Sequence, residues 1–254
     1  MPMILSEDVV EHRDWLLGLA TLPERGAFLD LGCGNGADLI ALAKRSAHGE
    51  QRFVGLDASE KSISEAVVQT KDPWIQFRQE RLEGRLPVSD QAYDLVYSSN
   101  LLECLADPEL FAGEVGRILK PGGFAVINHW DWDSQVYDGN DKGVVRRLVH
   151  AFADWQQAWM DHAEGWMGRR LWGIFNGTGL FEGVVHARAL TNTVYAEPLY
   201  GHARAQDFTR LPKRGLATAE DVAQFIATQE ALAKAGKYFY SVTSFAFVGR
   251  RRDA

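Results

Sequence analysis

The sequence predicts an α/β protein built on a doubly wound, mostly parallel sheet. A short apolar run at 27–31 predicts a buried strand, a glycine-rich turn follows at 32–36, and an apolar helical stretch comes next. Strands and helices then alternate through Asn128, which is the pattern of a parallel sheet with helices on both faces. Glycines at a strand-to-helix turn let the backbone approach a ligand beside the free N–H groups of a helix. We therefore expect a nucleotide-like cofactor at this turn.

The individual elements follow from hydrophobic periodicity and from residues that start or stop helices. Ser6 and Thr218 are expected N-caps, and residues 131–183 interrupt the alternation of strands and helices. In chain order we predict a helix at 6–20, strands at 27–31, 52–57, 75–78, 93–98 and 124–127, a helical insertion at 131–183, a strand at 184–195, a loop at 196–216, a helix at 218–235 and a strand at 238–249. We expect a single domain, 1–254, made of an N-terminal helix (1–26), a cofactor-binding core (27–130), a helical cap insertion (131–183) and C-terminal strands and helix that complete the sheet (184–254).

The glycine-rich turn by itself fits more than one cofactor. The spacing Gly32-x-Gly34-x-x-Ala37 also matches the fingerprint of dinucleotide-binding enzymes, so a nicotinamide cofactor stays open at this point. Asp30 lies inside the strand, where an acid is costly to bury without a partner. Asp57 ends the next strand and is placed to accept hydrogen bonds from ribose hydroxyls, although a helix-capping role would also suit it.

Four motifs occur in order: Asp-Leu-Gly-Cys-Gly-Asn-Gly at 30–36, the acid at Asp57, Tyr-Asp-Leu-Val at 93–96 and Leu-Lys-Pro-Gly-Gly at 119–123. Together they resemble the class I S-adenosylmethionine-dependent methyltransferases, over roughly residues 15–130. The resemblance implies a seven-stranded Rossmann-like sheet with an antiparallel edge strand, and S-adenosyl-L-methionine as the cofactor. It also implies this set of cofactor-binding residues: Asp30, Gly32, Cys33, Gly34, Asn35, Gly36, Asp57, Ala58, Arg81, Leu82, Ser98 and Asn100.

The sequence departs from the family at the adenine contact. Where relatives often place an Asp after the third strand, this chain has Gln-Glu-Arg-Leu-Glu at 79–83. The usual acid is therefore replaced by Arg81, or displaced to Glu80 or Glu83, while the backbone N–H of Leu82 remains able to serve the base.

The acceptor site is expected beyond the end of the fifth strand, because ligands of this fold lie beyond the carboxyl ends of the strands. That strand leads into Asn-His-Trp-Asp-Trp-Asp at 128–133. His129 is the predicted catalytic base, and Asp131 is predicted either to orient it or to hold a cationic substrate. The tryptophans suit a cation or a planar ring. The predicted acceptor-binding residues are Trp130, Trp132, Asp133, Tyr137, Tyr195, Tyr200 and His202, the last three on a segment that would otherwise be a solvated loop.

Composition restricts the function further. A net charge of −7 argues against a nucleic-acid surface, and two cysteines give neither a disulfide framework nor a metal pattern. The acidic first twenty residues are neither a signal peptide nor a membrane anchor. We expect a cytoplasmic monomer or homodimer, without metal or membrane partner, that methylates N, O or C of a small molecule. The alternatives are a methyltransferase acting on a protein or nucleic acid, and a nicotinamide-cofactor enzyme.

Overall fold

The computed structural model describes residues 6–46, 50–158, 160 and 162–253. The strands are β1 (Arg25–Leu31), β2 (Glu50–Asp57), β3 (Ile75–Gln79), β4 (Tyr93–Ser99), β5 (Leu119–Tyr137), β6 (Phe181–Asn192) and β7 (Tyr240–Arg251). The α-helices are α1 (Glu7–Gly18), α2 (Ala37–Lys44), α3 (Glu60–Gln69), α4 (Pro108–Ile118), α5 (Lys142–Ala153), α6 (Met167–Gly177), α7 (Tyr200–Asp207) and α8 (Ala219–Lys234). Short 3₁₀ turns lie at Leu102–Cys104, Phe208–Arg210 and Pro212–Arg214.

The strands form one seven-stranded sheet in the order β3-β2-β1-β4-β5-β7-β6. Strands β1 to β5 pair in parallel, whereas β7 runs antiparallel to both β5 and β6. The predicted doubly wound fold is confirmed, with its antiparallel pairing at the end of the sheet where β6 is outermost. The strand order reverses between β1 and β4, so the loops that follow these two strands border one crevice.

Strand β1 lies in the middle of the sheet and is covered on both faces. Phe28, Leu29 and Leu31 are at most 1% exposed, as expected for a central parallel strand between two layers of helices. Alternate residues enter different clusters: Leu29 and Leu31 pack with α4 and α6, and Phe28 packs with α2. Only the carboxyl end of the strand remains free to shape a site.

Two predicted segments differ from the structure. Strand β5 includes the predicted turn at 120–123 and continues to Tyr137. The continuation beyond residue 127 pairs with β7, with a register shift between Asp131 and Val136. The predicted loop at 196–216 is wrong, since it contains α7 and two 3₁₀ turns. Ala205 and Phe208 in these elements are fully buried, and this burial stabilises structure that the polar composition of the segment does not predict.

Helix starts agree better with the sequence. Thr218 accepts a hydrogen bond from Asp221 N at 3.0 Å, the predicted cap of α8. Ser6 precedes α1 as predicted, but its side chain makes no capping bond. Within the described part of the chain, no helix combines the length and apolar character that crossing a bilayer would require.

Candidate active site

The glycine-rich turn after β1 is held against the end of β2. The backbone N–H groups of Gly32 and Cys33 donate to Leu56 O at 2.8 and 3.0 Å. Gly34 N donates to Asp57 Oδ2 at 2.8 Å, and the other oxygen of this carboxylate accepts from Ser59 N at 2.8 Å. Because a carboxylate offers about four acceptor positions, Asp57 can still accept hydrogen bonds from a ligand.

Asp57 is not the cap of the helix that follows. That role belongs to Ser59, whose hydroxyl accepts from Ser62 N at 3.2 Å. Asp57 therefore joins the glycine-rich turn to β2. It does not cap α3, which was the alternative left open by the sequence.

Asp30 is a buried acid without a complete set of hydrogen bonds. It is 2% exposed, and its Oδ2 atom has no hydrogen-bond partner. Burial, together with the nearby carboxylates of Asp38 and Asp57, raises the pKa of Asp30 well above its usual range. A buried acceptor without a donor is an exception among native structures and points to a missing partner. A cationic donor group would satisfy it.

Three cavities adjoin one another at the carboxyl ends of β1 and β4. The turn cavity, of about 310 Å³, is lined by Val9, His12, Arg13, Leu16, Asp30, Gly32, Cys33, Gly34, Asn35, Ala37, Asp38, Tyr97, Ser99, Asn100, Trp130 and Tyr200. The outer cavity, of about 650 Å³, is lined by Gly32, Asp57, Ala58, Ser59, Ser62, Arg81, Leu82, Glu83, Asn100, Leu101 and Cys104. The aromatic cavity, of about 370 Å³, is lined by Asn100, Glu103, Trp130, Trp132, Phe152, Ala153, Trp155, Gln157, Met160, Ala163, Tyr200, Arg204, Asp207 and Arg210. A larger open groove of about 1310 Å³ lies among α1, α2 and α3 and is bordered largely by charged side chains, so we base the site on the three smaller cavities.

Asn100 borders all three cavities. Its backbone has a φ of +56°, a left-handed conformation that Asn tolerates better than most residues. Asn100 N donates to Asn128 O at 3.0 Å, and its side-chain Oδ1 accepts from Trp130 N at 3.1 Å. These two bonds fix the loop after β4 against β5 at the point where the cavities meet.

The turn and outer cavities fit an elongated cofactor with an amino-acid end and a nucleoside end. The orphaned oxygen of Asp30 suits an ammonium group in the turn cavity. A Cβ at Gly34 would stand in open space, which leaves the backbone accessible there. Asp57 borders the outer cavity beside Arg81 and Leu82, as a ribose and adenine site would require.

Other predicted cofactor residues have supporting positions. Gly36 has a φ of +77°, and a Cβ there would meet Phe77 Cζ at 2.4 Å, so only glycine fits. Ser98 is fully buried and donates to Leu31 O at 2.7 Å, which places its hydroxyl between strands. Cys33 is 7% exposed, and burial raises the pKa of its thiol above the ordinary value, so it stays protonated.

Two residues that sequence reasoning missed lie on α1. His12 and Arg13 border the turn cavity. The His12 ring is 6% exposed, stacks on Trp130 at 4.2 Å between centroids, and has no hydrogen-bond partner at either nitrogen. Burial, with a smaller contribution from Arg188, lowers the pKa of His12 to about 4, so the ring is neutral at physiological pH. Nothing local in the sequence of α1 indicates this contact, because it depends on how the helix docks.

The aromatic cavity combines ring faces with charged groups. Trp132 Nε1 donates to Glu103 Oε2 at 2.7 Å. The Arg204 guanidinium lies 4.9 Å from the ring centroid of Tyr200 and pairs with Asp207 at 2.9 Å. Glu103 and Arg204 were not among the predicted site residues. The first lies on the 3₁₀ turn that follows β4, and the second lies on α7, where a loop was expected.

The predicted catalytic residues lie behind this cavity. His129 is fully buried; its Nδ1 is 2.8 Å from Trp130 O, and its Nε2 is 3.9 Å from Glu103 Oε1. Asp131 is also fully buried and accepts two hydrogen bonds from Arg169, at 2.6 and 2.5 Å. The arginine neutralises Asp131, which leaves Glu103 as the carboxylate beside His129.

The structure brings together only part of the predicted acceptor site. Trp130, Trp132 and Tyr200 line the aromatic cavity. The other predicted residues lie elsewhere in the described chain, each with its own partners: Asp133 accepts from Trp166 Nε1 at 2.9 Å, Tyr137 packs among Phe208, Phe225 and Tyr240, and Tyr195 packs against His202 and Tyr238. Among the residues that the structure describes, no group of three or more His, Cys, Asp or Glu side chains is placed to hold a metal ion.

Comparison with known proteins identifies what the chain resembles. The model of a methyltransferase-domain family matches residues 24–192. The chain is 33% identical over 120 residues to the ubiquinone biosynthesis O-methyltransferase of Paracidovorax citrulli, covering 45% of this chain and 48% of that protein. It is 30% identical over 172 residues to the 2-methyl-6-phytyl-1,4-hydroquinone methyltransferase of Synechocystis, covering 66% and 50%. The matches span about half or less of the length of these curated relatives.

Among solved structures, the YcgJ protein of Bacillus subtilis superposes with a TM-score of 0.63 at 17% identity. The superposition covers 96% of this chain and all of that one. At this level of identity the likeness supports the fold.

Proposed function

Because the chain belongs to the S-adenosylmethionine-dependent methyltransferases, we propose that it methylates an N, O or C atom of a small molecule held in the aromatic cavity. The observation that carries this proposal is the cavity itself, about 370 Å³ in volume and joined to the turn cavity by Asn100, Trp130 and Tyr200. This volume suits one compact molecule among aromatic rings. When bound, S-adenosylmethionine supplies a methyl group already activated by its sulfonium.

The residues of the chain then act by binding and orientation. Asp30 receives the ammonium of the cofactor, and Asp57 receives the ribose hydroxyls. Leu82 N and the Arg81 side chain border the adenine, although the usual acid of the family is missing there. His12 and Trp130 cover the turn cavity and exclude water. Alignment of two reactants in this way can contribute up to about 7–11 kcal/mol to catalysis.

The acceptor is held by aromatic faces and by polar groups around them. Trp132 and Tyr200 provide ring faces, while Glu103 and Arg204 provide charges of opposite sign. A planar molecule with a polar substituent suits this arrangement. The name of one relative, a 2-methyl-6-phytyl-1,4-hydroquinone methyltransferase, supports a small-molecule acceptor that carries an aromatic ring. The net charge of −7 gives a nucleic acid no electrostatic attraction.

Calorimetric titration with S-adenosylmethionine and S-adenosylhomocysteine tests the cofactor part of this proposal. We expect binding that weakens by about tenfold or more in Asp57→Ala, since the carboxylate bonds to the ribose are charge-assisted. Glu182→Ala, on the exposed face of β6, is the matched control and should bind as the wild type does. Equal affinity in both variants would remove Asp57 from the cofactor site.

The acceptor part is tested with cofactor carrying a labelled methyl group. The purified protein is incubated with phenols, aromatic amines and heteroaromatic acids, and in parallel with RNA and with denatured protein. Label transferred to a small molecule, and lost in Trp132→Ala, supports the proposal. Label found only in RNA or protein would overturn it.

A further inference from the structure

We propose that Glu103 takes the proton that the acceptor loses during methyl transfer, with His129 as its positioning partner. This inference rests on the proposed function, because it concerns the acceptor cavity of that site. It replaces His129 and Asp131 as the direct base with a carboxylate that borders the cavity.

The position of Glu103 is the first support. It lies three residues after Asn100, on the 3₁₀ turn Leu102–Cys104, and its side chain, 11% exposed, borders the aromatic cavity. The Trp132 indole N–H donates to Oε2 and fixes the carboxyl plane. The second oxygen, Oε1, makes no comparable bond and remains available to a substrate.

The unpartnered nitrogen of His129 is the second support. Nδ1 is 2.8 Å from Trp130 O, and a carbonyl oxygen only accepts, so Nδ1 carries a hydrogen. Nε2 is completely buried and has no hydrogen-bond partner, yet it lies 3.9 Å from Glu103 Oε1. Nε2 therefore faces the substrate-accessible oxygen of Glu103 from the buried side, and this contact makes His129 the positioning partner.

The surrounding charges allow Glu103 to act as a base. Burial raises the pKa of Glu103 above its usual range, and both His129 and the Trp132 hydrogen bond oppose that rise. Tyr200 and Arg204 face the cavity from α7. Asp207, at the end of α7, and Arg210, on the 3₁₀ turn that follows it, complete the charged lining. A carboxylate with a raised pKa is better matched to accepting a proton near neutrality than an exposed one.

The proton transfer is balanced as follows. A lone pair of Glu103 Oε1 forms an O–H bond while the bond between the acceptor atom and its hydrogen breaks, and that bond's electron pair stays on the acceptor atom. The same atom gains the methyl group, so it ends with no added charge and the carboxyl group becomes neutral. The acceptor class is therefore one whose nucleophilic atom carries a proton: a hydroxyl, an amine or an acidic C–H. Asp131 is unsuited to this step because Arg169 already occupies both of its oxygens.

The Trp132 indole N–H provides a direct measurement, since it donates to Glu103. In ¹H–¹⁵N spectra of the whole protein, assigned with Trp132→Phe, we expect this signal to move with pH about a midpoint above the ordinary glutamate range. The movement should vanish in Glu103→Gln, which keeps the shape of the side chain. In His129→Asn the midpoint should rise, because His129 opposes the rise in the pKa of Glu103 and this opposition is removed. The indole of Trp172, 46% exposed on α6, is the internal reference.

A Trp132 signal that stays constant with pH, or that titrates equally in Glu103→Gln, would overturn the proposal. An unchanged midpoint in His129→Asn would remove His129 from the pair. These readouts need no acceptor, so they separate a failure here from a failure of the proposed function. With an acceptor in hand, Glu103→Gln should lower kcat by about 10²–10⁴-fold while the affinity for S-adenosylhomocysteine stays unchanged.

Discussion

Asp30 shows how one residue can serve binding at the expense of stability. A buried carboxylate without a donor is unfavourable in the ligand-free protein, and the acids at positions 38 and 57 add repulsion. We expect Asp30→Asn to raise the free energy of unfolding by about 0.5–2 kcal/mol at neutral pH, as removal of functional strain often does. Urea unfolding measures this change. The same variant should bind S-adenosylhomocysteine at least about tenfold more weakly by calorimetry. If Asp30→Asn were less stable than the wild type and bound S-adenosylhomocysteine with equal affinity, the assignment of Asp30 to the cofactor site would be contradicted.

The raised pKa of Asp30 also predicts a pH dependence with a definite sign. The folded chain holds this proton more tightly than the unfolded chain does, so the contribution of Asp30 to stability is lost as pH rises through the raised pKa. Binding of an ammonium group needs the ionised form. The affinity for S-adenosylhomocysteine should therefore increase with pH over that same interval. Calorimetry between about pH 5 and pH 8 tests this, and Asp30→Asn should show a flatter profile.

Asp131 and Arg169 form an ion pair, and we propose that its role is structural. The carboxylate is fully buried, while the arginine side chain is 41% exposed. Arg169→Gln leaves a buried charge without its partner and should cost about 3 kcal/mol of unfolding free energy. Asp131→Asn should cost less, because the freed arginine can be hydrated. Chemical denaturation measures both, with cofactor affinity as the control. If Asp131→Asn kept full stability but lost turnover, the catalytic role expected from the sequence would be supported instead.

At the level of elements, one acid connects α1 to the elements on the other side of the turn cavity. Asp8 Oδ2 accepts from Asn192 Nδ2 at 2.8 Å and from Tyr200 N at 2.9 Å, which links α1 to β6 and to α7. Asp8 itself is outside the cavity lining, whereas His12 and Arg13 on the same helix belong to it. A change at Asp8 is therefore expected to shift His12 and Arg13 at the turn cavity.

We expect Asp8→Ala to weaken S-adenosylhomocysteine binding by about three- to tenfold, since two charge-assisted bonds that orient α1 are lost. Hydrogen exchange in α1 should become faster in the same variant. Glu11→Ala is the matched control, because Glu11 forms a partly exposed ion pair with Arg188 at 3.8 Å. Equal affinity in the two variants would show that α1 is not part of the cofactor site.

At the scale of the whole molecule, the glycine-rich turn and the end of β2 were predictable because their signals are local. The turn at 32–36 and the acid at Asp57 each follow a strand, and position along the strand places them. The acceptor half was less predictable, since it depends on α7 and on which face of β5 each side chain takes. Side chains alternate along a strand. Trp130 and Trp132 point to the aromatic cavity. His129 and Asp131 alternate with them along β5 and lie beside α6. Alternation alone could have separated these two pairs.

The cavities join segments that are far apart in the chain, so cofactor binding should stabilise the whole fold. The turn cavity is bounded by α1, by the ends of β1 and β4, and by α7. A ligand at about 100 times its Kd adds about 2.7 kcal/mol to the unfolding free energy, provided it binds only the folded state. For a domain of this size that corresponds to a rise in Tm of about 5–10 °C. Thermal unfolding with S-adenosylhomocysteine should show this rise, and Asp57→Ala should reduce it at equal ligand concentration. NADH should leave Tm unchanged, because the spacing of the glycines is the single feature of the sequence that favours a nicotinamide cofactor. A rise in Tm with NADH and none with S-adenosylhomocysteine would contradict the assignment of S-adenosylmethionine to the turn after β1.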